Sequence, residues 1–130
     1  MNSVPMRARA TFASLLLVVV LLVALVDRAQ GARRPTAAQK RAIDTAIHHS
    51  PLTRGVPAGE YRVAWIRIAT AVRGWAEALL VGRGPNARRV QTVGAVLHRR
   101  AGRWRVTVVG GIGLGCRVPW AVRHDLGLIC

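Results

Sequence analysis

Val90-Gln91-Thr92-Val93-Gly94-Ala95-Val96-Leu97-His98-Arg99-Arg100-Ala101-Gly102-Arg103-Trp104-Arg105-Val106-Thr107-Val108-Val109 reads as two strands folded back about a glycine turn. Valines dominate both arms, and Ala101-Gly102 supplies a two-residue turn between them. With the turn there, Leu97 faces Val106 and Ala95 faces Val108 on one apolar side. His98, Arg105 and Thr107 fall on the opposite, wetter side. One hairpin alone is not stable in water, so the rest of the chain must supply more strands and a cover.

A second hairpin lies upstream. Tyr61–Ala69 and Trp75–Val81 both read as strands, with Gly74 in the link between them. Centred on Val72, the pairing sets Ile66 opposite Ala78, Ile68 opposite Ala76 and Ala64 opposite Leu80. Arg67 then faces Glu77 on the other side, a cross-strand ion pair. The cover comes from the N-terminal side. Thr36-Ala37-Ala38-Gln39 fits a capping box, and Ala42, Ile43, Ala46 and Ile47 make one apolar stripe of a helix running to about His49. Ser50-Pro51 ends it, since a residue before proline avoids the helical region. Pro51–Gly59 and Gly82–Ala87 are loops rich in glycine and proline. Pro119 opens a short helix to about Leu126, a reading that Asp125 near its end weakens. The expected fold is α+β: an N-terminal helix on a curved antiparallel sheet of about four strands.

Residues 1–31 read as a secretory signal peptide. Arg7 and Arg9 precede the apolar run Phe12–Val26, interrupted only by Ser14, and Ala29-Gln30-Gly31 places small residues for a cut before Ala32. The alternative is an uncleaved membrane anchor, for which a run of 15 residues is short against the roughly 20 a bilayer core needs. The expected product, residues 32–130, is one small domain of 99 residues. It keeps 17 of the 20 basic residues and 4 of the 5 acidic ones, a formal charge of +13. Such a field attracts anionic partners. In an exported chain the two cysteines, Cys116 and Cys130, are expected to pair. The alternative, free thiols at a redox or metal site, lacks a C-x-x-C pattern.

The tail carries a recognisable pattern. Val96 to Val106 is followed by the glycine turn, then Cys116, Val118-Pro119 and Asp125-Leu126-Gly127-Leu128-Ile129-Cys130. With Val63–Ala69 and Trp75-Ala76 upstream, the chain resembles a group of small exported actinobacterial proteins. The resemblance rests on structural motifs and implies no activity and no site. That group carries an acidic residue near position 109, where this chain has Val109. The order of helix and sheet also resembles cystatin-like and NTF2-like folds, a likeness that does not transfer a function.

Candidate reactive groups read as structural. Ser50 is the one serine beyond residue 31 and sits at a helix end, as a capping residue does. Asp44, Glu60, Glu77 and Asp125 form no close pair in sequence. His48 and His49 point about 100° apart on a helix and suit its C-terminus; His124-Asp125 reads as a solvated helix face. Gly111-Ile112-Gly113-Leu114-Gly115 has the wrong spacing for a dinucleotide loop and suits a tight turn. Trp65, Trp75, Trp104 and Trp120 interleave with arginines. At least two are expected in the core, and Trp120 partly exposed. The expectation is a non-enzymatic module, without cofactor or metal, for an anionic wall polymer or lipid head group. Arg88, Arg89, Arg99, Arg100, Arg103 and Arg105 would hold it, with no specific nucleic-acid partner. A small-ligand pocket protein or minor hydrolase, and a structural protein without a ligand, are the alternatives. The chain would be secreted or envelope-associated, or membrane-anchored if residues 1–31 stay attached.

Overall fold

The computed structural model describes residues 31–85 and 87–130; the expected signal peptide, but for Gly31, lies outside the described residues. Five strands form one antiparallel meander in the order β1-β2-β3-β4-β5. They are β1 (Ala32–Arg33), β2 (Tyr61–Ala69), β3 (Trp75–Gly82), β4 (Val93–Arg100) and β5 (Arg103–Gly110). Two helices, α1 (Ala37–His48) and α2 (Trp120–Leu126), flank it. The sheet therefore has one strand more than the four expected. Ala32 and Arg33 pair with Ala69 and Ile68 at the edge of β2, and the Thr70 amide and hydroxyl both donate to the Gly31 carbonyl (3.2 and 2.8 Å). Two residues hold no alternation to read, and an open edge is itself the template for pairing.

Both hairpins form, each with one bulge. In the first, Ile66 faces Ala78, Ile68 faces Ala76 and Arg67 faces Glu77 as expected, but Leu80 faces Val63 instead of Ala64. Ala64 is the extra residue and is exposed. In the second, Leu97 faces Val106 as expected, but Ala95 faces Val109 and Val96 faces Val108, so Thr107 is the extra residue. Its hydroxyl donates to the Val96 carbonyl (2.9 Å), occupying an acceptor beside the break. Ala101 and Gly102 are both left-handed (φ 47° and 74°), the geometry of a tight hairpin turn. β4 begins at Val93, three residues later than expected, because its ladder with β3 runs out at Leu80↔Val93.

The bulges decide what each face carries. A strand alternates sides every residue, and one inserted residue reverses the alternation beyond it. Val106 and Val109 thus share the α1 face, while Val108 joins Val96 on the other. On the first face Ile43 and Ile47 of α1 are fully buried against Tyr61, Ile66, Ile68, Ala76, Ala78, Leu80, Ala95 and Leu97. Thr36 and Gln39 cap α1 reciprocally as expected. The second face is not simply wet. Ala69, Val96 and Val108 are buried there under Leu114, Val122 and Leu126 of the C-terminal segment. The sheet is a middle layer, with α1 on one side and the tail on the other. Cys116 and Cys130 are disulfide-bonded, Cα atoms 4.7 Å apart, and close the tail into a loop. Gly31–Cys130 is one compact unit.

Candidate functional site

The site grows from the turn between β2 and β3. Asp125 on α2 is buried (6 % exposed), and its Oδ2 accepts the backbone amides of Ala71 and Val72 (2.8 and 3.0 Å). The solvated helix face expected for His124-Asp125 is thus corrected: Asp125 faces inward and grips the turn. Gly74 is left-handed (φ 80°) and its carbonyl accepts the Arg99 amide (2.7 Å). Arg73 and Arg99 are thereby set at one end of the sheet.

There Arg33, Arg73 and Arg99 line a pocket of about 300 Å³ with Gln39, Thr70 and Trp104. Arg33 donates to Gln39 Oε1 (3.1 Å), the same oxygen that accepts the Thr36 amide of the capping box. Beside it, Arg41 and Arg103 line an open groove with Ala42, Thr45 and Trp104. Trp104 is the wall common to both. No carboxylate lines either one, and none of these five arginines is ion-paired among the described residues.

The structure divides the arginines expected to act together. Arg99 and Arg103 reach the Trp104 site. Arg100 and Arg105 lie beside His98: Arg100 Nε donates to His98 Nδ1 (3.0 Å), and Arg105 is its cross-strand neighbour. Arg88 and Arg89 sit in a 3-10 turn before β4, at the far end of the sheet. Arg33, Arg41 and Arg73, which the expected set did not include, join from the edge strand, α1 and the turn. Only the tertiary pairing of β1 with β2 brings Arg33 there.

At the far end Leu52, Val56, Tyr61, Leu80, Val93 and Val109 line an apolar cavity of about 580 Å³, with Glu60, Arg89 and Gln91 among its polar groups. That volume lies within the range of small-molecule sites. The Ser50 hydroxyl accepts the Leu52 amide (3.1 Å) and closes a turn. His49 Nδ1 meets the Thr45 carbonyl (2.9 Å) at the end of α1, and His48 stacks on Tyr61. Gly115 sits where a side chain would come 2.7 Å from the Ile129 carbonyl. Trp75 and Trp104 pack at the two cores, while Trp120 is 67 % exposed.

Glu77 and His98 are titrating groups shifted by their surroundings. Burial pushes the Glu77 carboxyl up from its ordinary value, against the hydrogen bond and charge of Arg67 (3.0 Å). Loss of hydration lowers the His98 pKa, and the Arg100 charge adds to this. His98 also stacks on Trp75 (4.2 Å between ring centres). No group of three or more potential metal ligands occurs among the described residues, and none of their helices is long and apolar enough to cross a membrane. Comparison with protein-family models, with curated proteins and with solved structures gives no match.

Proposed function

We propose that this chain is an exported, non-enzymatic module that binds an anionic component of the cell envelope. The observation that carries the reading is the set of five arginines about Trp104, with no carboxylate lining the pocket or the groove. Guanidinium forks match carboxylate and phosphate oxygens two at a time, and an indole face takes a sugar ring or an arginine. Pocket and groove share one wall, so an extended wall polymer spanning both is favoured over an isolated lipid head group. The formal charge of +13 over residues 31–130 steers such a polymer inward. The disulfide supports an oxidising compartment, in accord with export directed by residues 1–31. A helix along an antiparallel meander also supports a likeness to cystatin-like or NTF2-like folds.

Retention of the exported protein on isolated wall material tests the reading. Binding should fall steeply from low to high salt, and Arg73→Gln with Arg99→Gln should weaken it at least tenfold. Arg88→Gln with Arg89→Gln should change it little. Salt-independent retention, or equal effects of the two pairs, overturns the assignment. The apolar cavity favours a second reading, a pocket for a small apolar ligand. Saturable binding of an apolar fluorescent probe, lost in Leu52→Asp, would support it.

A further inference from the structure

We infer that cutting the chain between Gly31 and Ala32 creates a cation that completes the fold: the new α-ammonium of Ala32 docks on Asp125. This rests on the export reading above. Hydrolysis adds one water across the Gly31–Ala32 peptide bond; Gly31 leaves with the carboxylate, and Ala32 keeps the amine, which takes up a proton at neutral pH.

The geometry around Gly31 points to this partner. A Cβ placed on Gly31 would lie 2.7 Å from the Asp125 carbonyl oxygen and 2.9 Å from Asp125 Oδ1. Oxygen acceptors therefore border the position that Gly31 vacates. Asp125 Oδ2 is already taken by the Ala71 and Val72 amides, whereas among the described residues Oδ1 has only the Thr70 hydroxyl at 3.5 Å. A carboxylate accepts about four hydrogen bonds and an ammonium donates three, so Oδ1 has capacity and the new terminus has donors. Removing Gly31 also removes the carbonyl that accepts both Thr70 donors, leaving the Thr70 hydroxyl as a further acceptor for the ammonium. Ala32 itself stays in place, paired with Ala69 and packed beside Val122 and Leu126. One carboxylate would then join three parts of the chain: the mature terminus, the turn bearing Arg73, and α2. Processing would finish the arginine site by fixing the turn from both sides.

The α-amine reports this directly. Lys40 is the only lysine, so residues 32–130 carry two amines, and in uniformly ¹³C-labelled exported protein the Ala32 Cα and Cβ signals report the titration of the unmodified α-amine. Intact mass should first show a chain beginning at Ala32. In the folded protein the α-amine should titrate at least one pH unit above its value in the same protein unfolded in urea, ordinarily about 7.7–8.0. The shift should vanish in Asp125→Asn, although Arg33, Arg34, Arg67, Arg73, Arg123 and His124, the charged groups of the neighbouring elements, remain. A chain that begins elsewhere overturns both this inference and the expected cut. A chain that begins at Ala32 with an α-amine titrating alike folded and unfolded overturns the docking alone, and the folded–unfolded comparison needs no variant to fold.

Discussion

Four side chains show how far single residues govern this molecule. Asp125 is buried and accepts two part-buried amides of the β2–β3 turn, so Asp125→Ala should cost about 1–3 kcal/mol, read from urea melts. Arg67 is the second. It donates to Glu77 and to the Leu126 carbonyl that ends α2, and its guanidinium lies over Trp65 (4.5 Å). Swapping the charges of Arg67 and Glu77 should therefore restore only part of the stability lost in Glu77→Arg, since a glutamate at 67 cannot donate to Leu126. Full rescue in a double-mutant cycle would reduce Arg67 to a simple ion-pair partner. Glu77 is the third. Because burial raises its pKa in the fold, its contribution is full below the unfolded value near 4.5 and is lost as pH rises through the folded value. His98 works in the other sense: its lowered pKa adds stability above the ordinary 6.5, lost as pH falls through the folded value. Thermal melts should show Glu77→Gln gaining on the wild type as pH rises from about 4 to about 7; a gap that stays level counts against the burial of Glu77. The Arg67–Glu77 pairing was legible from hairpin register. The inward turn of Asp125 was not, because an acid beside His124 at the end of a short helix looks solvated until the turn it grips is folded against it.

At the scale of elements, local signals were dependable wherever the chemistry is local. The capping box of α1, the Ala101-Gly102 turn and both strands of the first hairpin follow from neighbouring residues. The bulges at Ala64 and Thr107 do not. Val63 and Trp65 flank Ala64, and Val106 and Val108 flank Thr107, so apolar neighbours on both sides give no local sign of which residue is the extra one. The break is decided by the need to feed two cores, one on each face of the sheet. The tail was legible as a disulfide loop but not as a second cover. Its Leu114, Val118, Val122 and Leu126 fall every four residues, but a 3-10 turn, Val118-Pro119 and α2 lie along that run, so the spacing does not belong to one helix. The Cys116–Cys130 link closes about 15 residues, worth roughly 3 kcal/mol, and holds that cover down. Cys116→Ser with Cys130→Ser should lower stability by about that amount and raise binding of a dye for exposed apolar surface, as Ala69, Val96 and Val108 become accessible. An unchanged dye signal would mean that the tail packs without its bond.

The whole molecule places different chemistry at the two ends of one sheet. The arginine site lies where β4 ends, and the apolar cavity where it begins, with α1 between them on the same face. Leu52→Asp should abolish uptake of an apolar probe and leave wall retention unchanged; loss of both would couple the ends through α1. The amino-acid sequence by itself determined the α+β class, the helix cap, the two hairpins, the cysteine pair expected of an exported chain and the excess of arginine. Each of these follows from composition or from residues close along the chain. Tertiary structure alone decided which arginines lie together. Arg33, Arg73 and Arg99 are far apart in sequence and converge because edge pairing, a turn held by Asp125 and a bulged hairpin bring them round Trp104. It also turned the wetter face of the sheet into a second core, since a bulge reverses which side a valine occupies and only the covering tail makes that reversal favourable.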